Sequence, residues 1–584
     1  MRRIAFSLAA LFALAAAPAA PAAPAIAPAA LQGGPVVSRS ALAAARPVLA
    51  RHAMVVTAQH LATEVGVDIL RRGGNAVDAA VAVGYALAVV EPCCGNIGGG
   101  GFMTLHLADG RNLFLDFRET APEKATPTLF QDAKGKVVPG LSTRSWLAIG
   151  VPGTVMGLDA ALARYGTMSL RQVMAPAIAL AAKGFVLRTA DTQLLDARAR
   201  LFAAEPNVAA IFLDHGAPWR PGERLVQSDL ARTLEEIAAG GTRAFYDGPA
   251  ARAVVAAAQK HGGILALKDF ADYRVNWEPP VACAYHGYTI VSAPPPSSGG
   301  ATICETLQIL APYPLQRWGF ASVKTTHYLV EAERRAFMDR NADLGDPAFV
   351  HDPLGLLISP AYAAKLRASI AADRATPTAS LEPAPPPPEG ADTTHYSVVD
   401  ARGDAVSVTY TINLLFGAGR IAGDTGFFLN DEMDDFTSKP GTPNAFGLVQ
   451  GVANQVEGGK RPLSSMAPTL VLKGARLFLV TGSPGGSTII STTLENILDV
   501  VDFGMNVQQA VDAPRIHEQG LPDIVLVEPG YLTPASRRAL APMGYDFRTL
   551  PGWGADEAIE IDPRTGEREG ANDPRRPDGL AAGF

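Results

Sequence analysis

The sequence has no long run of lysine or arginine. Only 18% of its 584 residues are charged, and 50 basic against 57 acidic side chains give a formal net charge of −7. Without a basic face the chain cannot neutralise a phosphate backbone, so nucleic acid is not predicted as a partner. With 48% apolar residues the composition is globular, and the length allows one large layered domain or several smaller ones.

Cysteine is scarce as well. The chain has four, Cys93, Cys94, Cys283 and Cys304, which excludes a scaffold held together mainly by disulfides. The adjacent Cys93 and Cys94 are not expected to bridge each other, whereas a Cys283–Cys304 bridge is possible but not established by the sequence. No His/Cys spacing near them completes a metal site, so neither a metal nor a cofactor is predicted.

Long apolar runs are missing except at the N-terminus. There Arg2 and Arg3 precede an apolar run from Ile4 to Ala17, and small residues with A-x-A spacing follow. This order is typical of a secretory signal, and the run is too short to span a bilayer. We therefore predict a signal peptide over residues 1–25, a periplasmic or secreted protein and no membrane span, with an Ala-rich disordered tail as the alternative. Residues 26–50, rich in Ala and Pro, are predicted to be disordered.

Patterns of helices and strands alternate along the rest of the chain. Apolar spacing predicts helices over 60–74 and 75–90, followed by the strands FMTLHL and NLFLDF around an Asp-Gly turn. Later come two further strand pairs, HYSVVD with AVSVTYTI and APTLVL with RLFLVTG, and a helix over 487–504. Strand hairpins with helices at both ends predict two antiparallel sheets stacked between helical layers.

A proline-rich stretch from Ala375 ends at two threonines, Thr393 and Thr394, that begin a strand. A threonine hydroxyl is a weak nucleophile that needs a base, and the chain has only ten histidines and no G-x-S-x-G elbow. Cleavage just before a threonine would free an α-amine, with an unperturbed pKa of about 7.7–8, to act as base for its own side chain. A flexible segment joined to a rigid strand suits such a cleavage.

The strand pair after this segment supplies a second hydroxyl. If residues 401–403 form a three-residue loop, Thr411 lies opposite Thr393, and a two-residue loop shifts the pairing by one position. In both cases Thr411 can reach Thr393 and orient its hydroxyl. The alternative is that Thr393, Thr394, Thr409 and Thr411 are ordinary strand formers.

Nine motifs in order carry a resemblance to a known family. GNIGGGGFM, LDFRE, GVPGTV and PPPSSGG precede the threonine pair, and TTHYSVVD, AVSVTYTIN, NDEMDDF, KRPLSSMAPT and TGSPGGS follow. From about Met54 to the C-terminus the chain resembles the γ-glutamyltransferase (γ-glutamyltranspeptidase, glutathione hydrolase) family of N-terminal-nucleophile hydrolases. The resemblance implies an α+β fold, a four-layer αββα sandwich made of two subunits from one precursor.

The resemblance also implies that the precursor cleaves itself between Asp392 and Thr393. Residues 51–392 then form the large subunit, with 375–392 as a flexible linker before the cleavage site, and residues 393–584 form the small catalytic subunit. The two subunits are expected to stay together as a heterodimer.

Roles for individual residues follow from the same resemblance. Thr393 is the expected nucleophile, oriented by Thr411, and backbone N–H groups of Gly485 and Gly486 are expected to stabilise the oxyanion. Residues 439–450 resemble a lid, where Phe446 replaces an aromatic hydroxyl common in the family and so cannot donate a hydrogen bond to Asn413. The rival reading of the Gly485 region, a phosphate loop, lacks the Lys-Ser/Thr that should follow it.

Substrate contacts are implied for six residues. The α-carboxylate of a γ-glutamyl group is assigned to a cation and two hydroxyls, and its α-ammonium end to two carboxylates and an amide. Arg118, Ser464 and Ser465 are expected to bind the α-carboxylate. Glu432, Asp435 and Asn413 are expected to contact the α-ammonium end. Without the resemblance these residues read as a surface arginine, a turn and a solvated acidic loop.

The implied activity is attack of Thr393 Oγ on the γ-amide of glutathione or a related γ-glutamyl compound, followed by transfer to water, an amino acid or a peptide. One alternative is a glutaryl or cephalosporin acylase on the same scaffold, which Glu432 and Asp435 disfavour because a glutaryl group has no ammonium. The other is an unprocessed, inactive exported binding protein.

Overall fold

The computed structural model describes residues 39–378 and 393–584. The predicted signal peptide (1–25), most of the predicted linker and Asp392 lie outside the described residues. Among the helices of the described part, none combines the length and the apolar character that crossing a membrane requires.

The strands of the described residues are numbered in chain order. They are β1 (Val48–Ala50), β2 (Met54–Thr57), β3 (Gly100–His106), β4 (Asn112–Phe117), β5 (Phe185–Val186), β6 (Arg224–Leu225), β7 (Asn276–Glu278), β8 (Val281–Tyr285), β9 (Tyr288–Ser292), β10 (Thr393–Val399), β11 (Ala405–Thr411), β12 (Thr469–Lys473), β13 (Arg476–Thr481), β14 (Ile516–His517), β15 (Val525–Val527), β16 (Phe547–Thr549), β17 (Glu557–Ile561), β18 (Arg568–Asn572) and β19 (Leu580–Gly583).

The α-helices are numbered in the same way. They are α1 (Arg39–Ala44), α2 (His60–Arg71), α3 (Ala76–Val90), α4 (Leu141–Arg144), α5 (Thr154–Tyr165), α6 (Leu170–Lys183), α7 (Thr189–Asp196), α8 (Ala199–Ala203), α9 (Pro206–Phe212), α10 (Ser228–Gly240), α11 (Thr242–Tyr246), α12 (Pro249–Lys260), α13 (Leu267–Asp272), α14 (Gly299–Leu310), α15 (Leu315–Trp318), α16 (Val323–Asp343), α17 (Leu354–Leu357), α18 (Pro360–Ala368), α19 (Thr488–Val501), α20 (Val507–Asp512) and α21 (Pro534–Leu540). Short 3-10 turns cover Glu432–Asp435, Val452–Asn454 and Ala541–Met543.

Two seven-stranded sheets form the centre of the molecule. One has the order β1-β18-β17-β13-β12-β9-β8 and the other β19-β2-β10-β11-β3-β4-β7. Neighbouring strands in both sheets pair antiparallel. Every residue of β10 and β11 is buried, which requires that both faces of this sheet be covered.

Successive side chains along a strand point to opposite faces of the sheet, so neighbouring residues pack into different hydrophobic cores. In β10, Val398 packs into the core shared with α2 and α3, while Val399 packs into the core between the two sheets. In β12, Val471 faces a third core shared with α14 and α19, while Leu470 faces the other sheet. Helices, sheet, sheet and helices therefore follow one another, and the predicted αββα sandwich is confirmed.

Most predicted elements are found with small shifts at their ends. The helices over 60–74, 75–90 and 487–504 correspond to α2, α3 and α19, and the three strand pairs to β3–β4, β10–β11 and β12–β13. A capping box formed by Asn75 and Asp78 begins α3, whose residues are all buried.

The prediction of disorder over 26–50 is wrong for its described end. Arg39–Ala44 forms a helix, and β1 pairs with β18 at the edge of a sheet, with Ala50 buried. The start of the predicted linker is held as well, since Ala375 N donates to Met543 O and Thr378 N to Asp523. Both segments are ordered by partners distant in sequence, which composition cannot reveal.

The expectation for the cysteines also needs correction. Cys93 and Cys94 form a disulfide with each other, and Cys283 forms the second disulfide with Cys304. The first pair lies in the turn that follows α3. The backbone carbonyls of both cysteines accept hydrogen bonds from the segment after β11: Phe416 N donates to Cys93 O, and Ile412 N donates to Cys94 O. Adjacency in sequence gave no sign of this turn.

Candidate active site

Thr393 is the first residue of β10 and lies opposite Thr411 in β11. Val399 pairs with Ala405, and Asp400 N donates to Asp404 O, which leaves residues 401–403 as a three-residue loop, so the register predicted for that case is confirmed. The two threonine Oγ atoms are 3.1 Å apart and both side chains are buried. Since β10 lies between β2 and β11 inside the sheet, the hydroxyl at its start is held by a rigid strand.

Thr394 points to the opposite face of β10. Its hydroxyl donates to Glu91 Oε2 at 2.7 Å. Glu91 is buried, and burial raises the pKa of its carboxyl although Arg576 and the Thr394 hydroxyl oppose the rise. Thr394 therefore anchors the strand to the end of α3 and does not share the environment of Thr393.

Asn413 follows β11 in an unusual backbone conformation. Its φ is 72°, in the left-handed region that asparagine tolerates better than most residues. Its backbone N–H donates to Thr411 Oγ1 at 2.9 Å, and its side-chain amide donates to Asp431 O at 3.0 Å. The backbone conformation of Asn413 thus lets one residue hold the Thr411 hydroxyl through its N–H group and contact the Asp431 carbonyl through its side chain.

Arg118 follows β4 and is completely buried. Its Nη1 forms ion pairs with Glu432 and, at 3.4 Å, with Glu119, while its Nη2 pairs with Asp435. The expected cation and the two expected carboxylates are therefore in direct contact. The group therefore contains one guanidinium and three carboxyl groups.

Burial and charge act in opposite directions on this cluster. Burial raises the pKa of Glu432 and Asp435, and the Coulombic attraction of Arg118 opposes that rise. Burial raises the pKa of Glu119 to about 7. Burial alone would lower the pKa of Arg118, but Glu432, Asp435 and Glu119 outweigh it and raise the pKa, so Arg118 stays charged.

A cavity brings most of the predicted site residues together. It is lined by Arg118, Thr393, Thr411, Asn413, Glu432, Asp435, Phe446, Leu448, Ser464, Ser465, Met466, Gly486 and Ile489. Gly485 is adjacent but does not line the cavity.

The glycine pair and the predicted lid residue meet at one wall of this cavity. Gly485 and Gly486 have φ of 134° and 56°, and a Cβ on Gly486 would lie 2.4 Å from Cδ1 of Phe446. Only glycine fits beneath the Phe446 ring here. The pair precedes α19, so its backbone lies at the N-terminus of a buried helix.

Comparison with known proteins identifies the group to which this arrangement belongs. A family model described as gamma-glutamyltranspeptidase matches residues 62–583. The chain belongs to this family. The resemblance drawn from the nine motifs is thereby confirmed.

Two bacterial relatives are each named glutathione hydrolase proenzyme. The protein from Pseudomonas sp. (strain A14) is 51% identical, over 92% of this chain and 95% of its own. The protein from Escherichia coli (strain K12) is 45% identical, over 92% and 93%. In structure, the chain is similar to a cephalosporin acylase from Bacillus halodurans, with a TM-score of 0.82, 28% identity and coverage of 92% of this chain and 97% of that one.

Several residues around the site of this γ-glutamyltranspeptidase family member were missed from sequence. Leu448, Met466 and Ile489 line the cavity, and Arg340 contacts Ser465 from behind. Arg340 belongs to the helix segment EAERRAFMDRNAD, whose three arginines look like a charged surface. All three are buried, and only the apolar segment Ala336–Met338 between them hinted at that.

Thr411→Val is expected to lower kcat about 10- to 100-fold and to slow precursor cleavage. The valine keeps the shape but removes the acceptor of Asn413 N–H and the partner of the Thr393 hydroxyl, and a buried unpaired donor costs about 1–3 kcal/mol. Precursor cleavage followed on denaturing gels and steady-state kinetics measure both effects.

Two matched variants distinguish the effect of losing the Thr411 hydroxyl from a general effect of changing β11. Thr411→Ser keeps the oxygen and should retain most activity, and Thr409→Val changes a threonine on the same face of β11 that bonds His395 instead. If Thr411→Val keeps kcat and cleavage within about threefold of the parent, the orienting role is wrong.

Proposed function

We propose that this chain is an autoprocessed threonine enzyme, a glutathione hydrolase and γ-glutamyltransferase. The observation that carries the proposal is the single cavity in which Thr393, paired with Thr411, faces Arg118 and the carboxylates of Glu432 and Asp435. This arrangement supports a nucleophile next to a site for the zwitterionic end of an amino acid.

Processing is the first step of the proposal. Thr393 Oγ attacks the carbonyl carbon of Asp392, the peptide C–N bond breaks as an ester forms, and water hydrolyses the ester. The products are a large subunit ending at Asp392 and a small subunit of residues 393–584 beginning with a free Thr393 amine. Asp392 itself lies outside the described residues.

The two subunits are expected to stay together after the cut. β10 and β11 of the small subunit lie between β2 and β3 of the large one, with backbone ladders on both sides. In the other sheet, four adjacent strands of the small subunit, β18, β17, β13 and β12, lie between β1 and β9 of the large subunit. A heterodimer is therefore the proposed mature form.

Turnover uses the newly formed terminus. The Thr393 amine takes the proton from Oγ as the oxygen attacks the γ-carbonyl of glutathione, and the leaving Cys-Gly amine receives a proton in return. Thr411 holds the hydroxyl, and the N–H groups of Gly485 and Gly486 are proposed to receive the oxyanion. Water, an amino acid or a peptide then attacks the γ-glutamyl ester and frees Thr393.

Recognition of the γ-glutamyl group follows from the charges. Arg118 with Ser464 and Ser465 is proposed to bind the α-carboxylate, and Glu432, Asp435 and Asn413 the α-ammonium. A zwitterion presents one negative and one positive charge at adjacent positions, which complements a cation and carboxylates in contact. Phe446 covers this end through packing alone, since its ring has no hydroxyl.

Export is part of the proposal, on the strength of the N-terminal sequence. Purified periplasmic or secreted material should then show two N-termini, one after the signal peptide and one at Thr393. Edman sequencing or intact-mass measurement detects both, and a single uncleaved chain would instead support an inactive binding protein.

The acylase alternative is favoured by the similarity to a cephalosporin acylase structure and by two relatives, each 40% identical, that are named Acylase ACY 1 proenzyme. The buried residues Glu432 and Asp435 disfavour it, because a glutaryl group brings a carboxylate but no ammonium to pair with them. We expect kcat/KM for L-γ-glutamyl-p-nitroanilide to exceed that for glutaryl-p-nitroanilide by about 100-fold or more, as two charge-assisted hydrogen bonds are at stake.

The matched variant for this comparison is Asp435→Asn, which keeps the shape of the side chain. It should lower kcat/KM for the γ-glutamyl anilide more than kcat/KM for the glutaryl anilide, so the preference for the γ-glutamyl substrate should decrease. Equal turnover of both anilides by the parent protein would refute the γ-glutamyl assignment and favour the acylase.

A further inference from the structure

Arg340, on α16, is a buried arginine that lies behind the proposed donor site without lining its cavity. Its Nη2 donates to Ser465 Oγ at 3.3 Å and its Nε to Ser298 Oγ at 3.1 Å. Its Nη1 donates to Gln450 Oε1 at 2.9 Å. One side chain therefore connects α16 with the PPPSSGG loop, the Ser464–Ser465 loop and the end of the lid segment 439–450.

The partners of Arg340 are all neutral. In the part of the chain that the structure describes, its hydrogen bonds go to two serine hydroxyls and to the side-chain oxygens of Gln450 and Asn341. Burial lowers the pKa of Arg340 to about 10, and the attraction of Asp435 opposes that drop, so the group stays charged at neutral pH. A buried cation held only by neutral groups is costly unless an anion completes its environment.

We infer that Arg340 is a positioning residue that supplies a second positive charge behind Ser464 and Ser465 for the α-carboxylate of the donor. The inference rests on the proposed function, which places that carboxylate at these two serines. Arg340 acts through Ser465: because Ser465 Oγ accepts from the guanidinium, its own hydroxyl proton is available to donate to a carboxylate in the cavity.

The Arg340 contacts also fix the neighbouring subsite. Gln450, which accepts from Arg340, donates through Nε2 to Asp435 O at 3.1 Å. Ser298, which accepts from Arg340 Nε, donates to Ser464 O at 2.6 Å. Arg340 therefore holds both the Ser464–Ser465 loop, proposed to bind the α-carboxylate, and the Glu432–Asp435 turn, proposed to bind the α-ammonium. It thereby fixes the distance between the binding sites for these two charged groups of the donor.

Competitive inhibition by two amino acids tests this role, because 4-aminobutanoate is L-glutamate without the α-carboxylate. In Arg340→Met, which keeps the length but not the charge, we expect the inhibition constant of L-glutamate to rise about 10- to 100-fold. The constant of 4-aminobutanoate should stay within about threefold, as should kcat for L-γ-glutamyl-p-nitroanilide, while KM rises with the glutamate constant.

Arg335→Met is the matched control on the same helix. Arg335 is also buried, and it bonds Glu331 and Ser369 away from the cavity. Its loss should lower stability while leaving both inhibition constants unchanged. If Arg340→Met weakens both inhibitors equally, or neither of them, Arg340 only supports packing and the inference is overturned.

Arg340→Lys keeps the test decisive if the methionine variant does not fold. A lysine retains the charge without the fork of donors, so glutamate should bind less than about tenfold more weakly, with 4-aminobutanoate unchanged. Equal weakening of both inhibitors would again overturn the inference. Failure of the proposed function has a different signature, namely that the parent protein itself does not cleave the γ-glutamyl anilide.

Discussion

Thr393→Ala is expected to yield a single uncleaved chain without measurable γ-glutamyl turnover. The variant lacks the oxygen that attacks the Asp392 carbonyl, so neither the cut nor the free amine of residue 393 forms. Removal of a nucleophile alone lowers kcat by roughly a million-fold in a serine hydrolase. Here the base should be lost with it. Denaturing gels, intact mass and anilide hydrolysis report the three consequences.

Thr394→Val is the control for this variant. It removes the neighbouring hydroxyl, which bonds Glu91 on the other face of β10. The control should lose stability because Glu91 Oε2 loses its hydrogen bond from Thr394, but it should still cleave. Thr393→Ser should cleave at a reduced rate because it keeps a nucleophilic oxygen. A cleaved, active Thr393→Ala protein would refute the mechanism.

Arg118→Met is expected to lower kcat/KM for γ-glutamyl substrates by at least about a thousandfold and to destabilise the protein by about 3–5 kcal/mol. The loss of one cation leaves Glu119, Glu432 and Asp435 buried without their counter-charge, and breaking a buried pair costs an energy of this size. Kinetics and urea unfolding of the purified variant measure the two effects.

The stability loss of Arg118→Met should depend on pH in a defined direction. Carboxylates whose folded-state pKa is raised bind protons more readily in the folded than in the unfolded chain, so stability falls as pH rises above their unfolded value. Glu119, with a pKa of about 7 even beside Arg118, should rise further without it. The part of the deficit that comes from Glu119 should therefore grow as pH rises above about 7 and be smallest at and below pH 7.

Arg461→Met provides the comparison for Arg118→Met. Arg461 is a buried arginine that pairs with Asp116 at 3.2 Å and does not line the cavity. It should cost similar stability with little change in KM. If Arg118→Met proves as mild in kcat/KM as Arg461→Met, Arg118 is a structural ion pair only and the proposed carboxylate site is wrong.

Local rules predicted the framework of the site well. Strand alternation predicted that Thr411 can reach Thr393 with either loop length, and the three-residue loop of the structure selects the directly opposite pairing, because the turn fixes the register of an antiparallel pair. Caps and apolar spacing also located α3, which is entirely buried. These features depend on residues close together in the chain.

Features created by distant contacts could not be predicted in this way. Arg118 and Glu432 are 314 residues apart, and nothing local indicates that they form an ion pair. The Cys93–Cys94 turn depends on donors from the loop after β11, and the order of residues 39–50 depends on β18. Arg340 was not singled out from the sequence, because burial of a polar side chain is decided by what the fold places around it.

The mixed origin of the strands in both sheets has a consequence for the life of the mature enzyme. After the proposed cut before Thr393, each seven-stranded sheet would consist of strands from two polypeptides, and neither polypeptide could leave without breaking backbone hydrogen bonds on both sides of its strands. Folding is a one-body event for the precursor, but recovery after denaturation of the mature form requires two chains to meet and therefore depends on concentration. After maturation, the lifetime of the folded protein should therefore depend mainly on its slow rate of unfolding and less on its ability to refold.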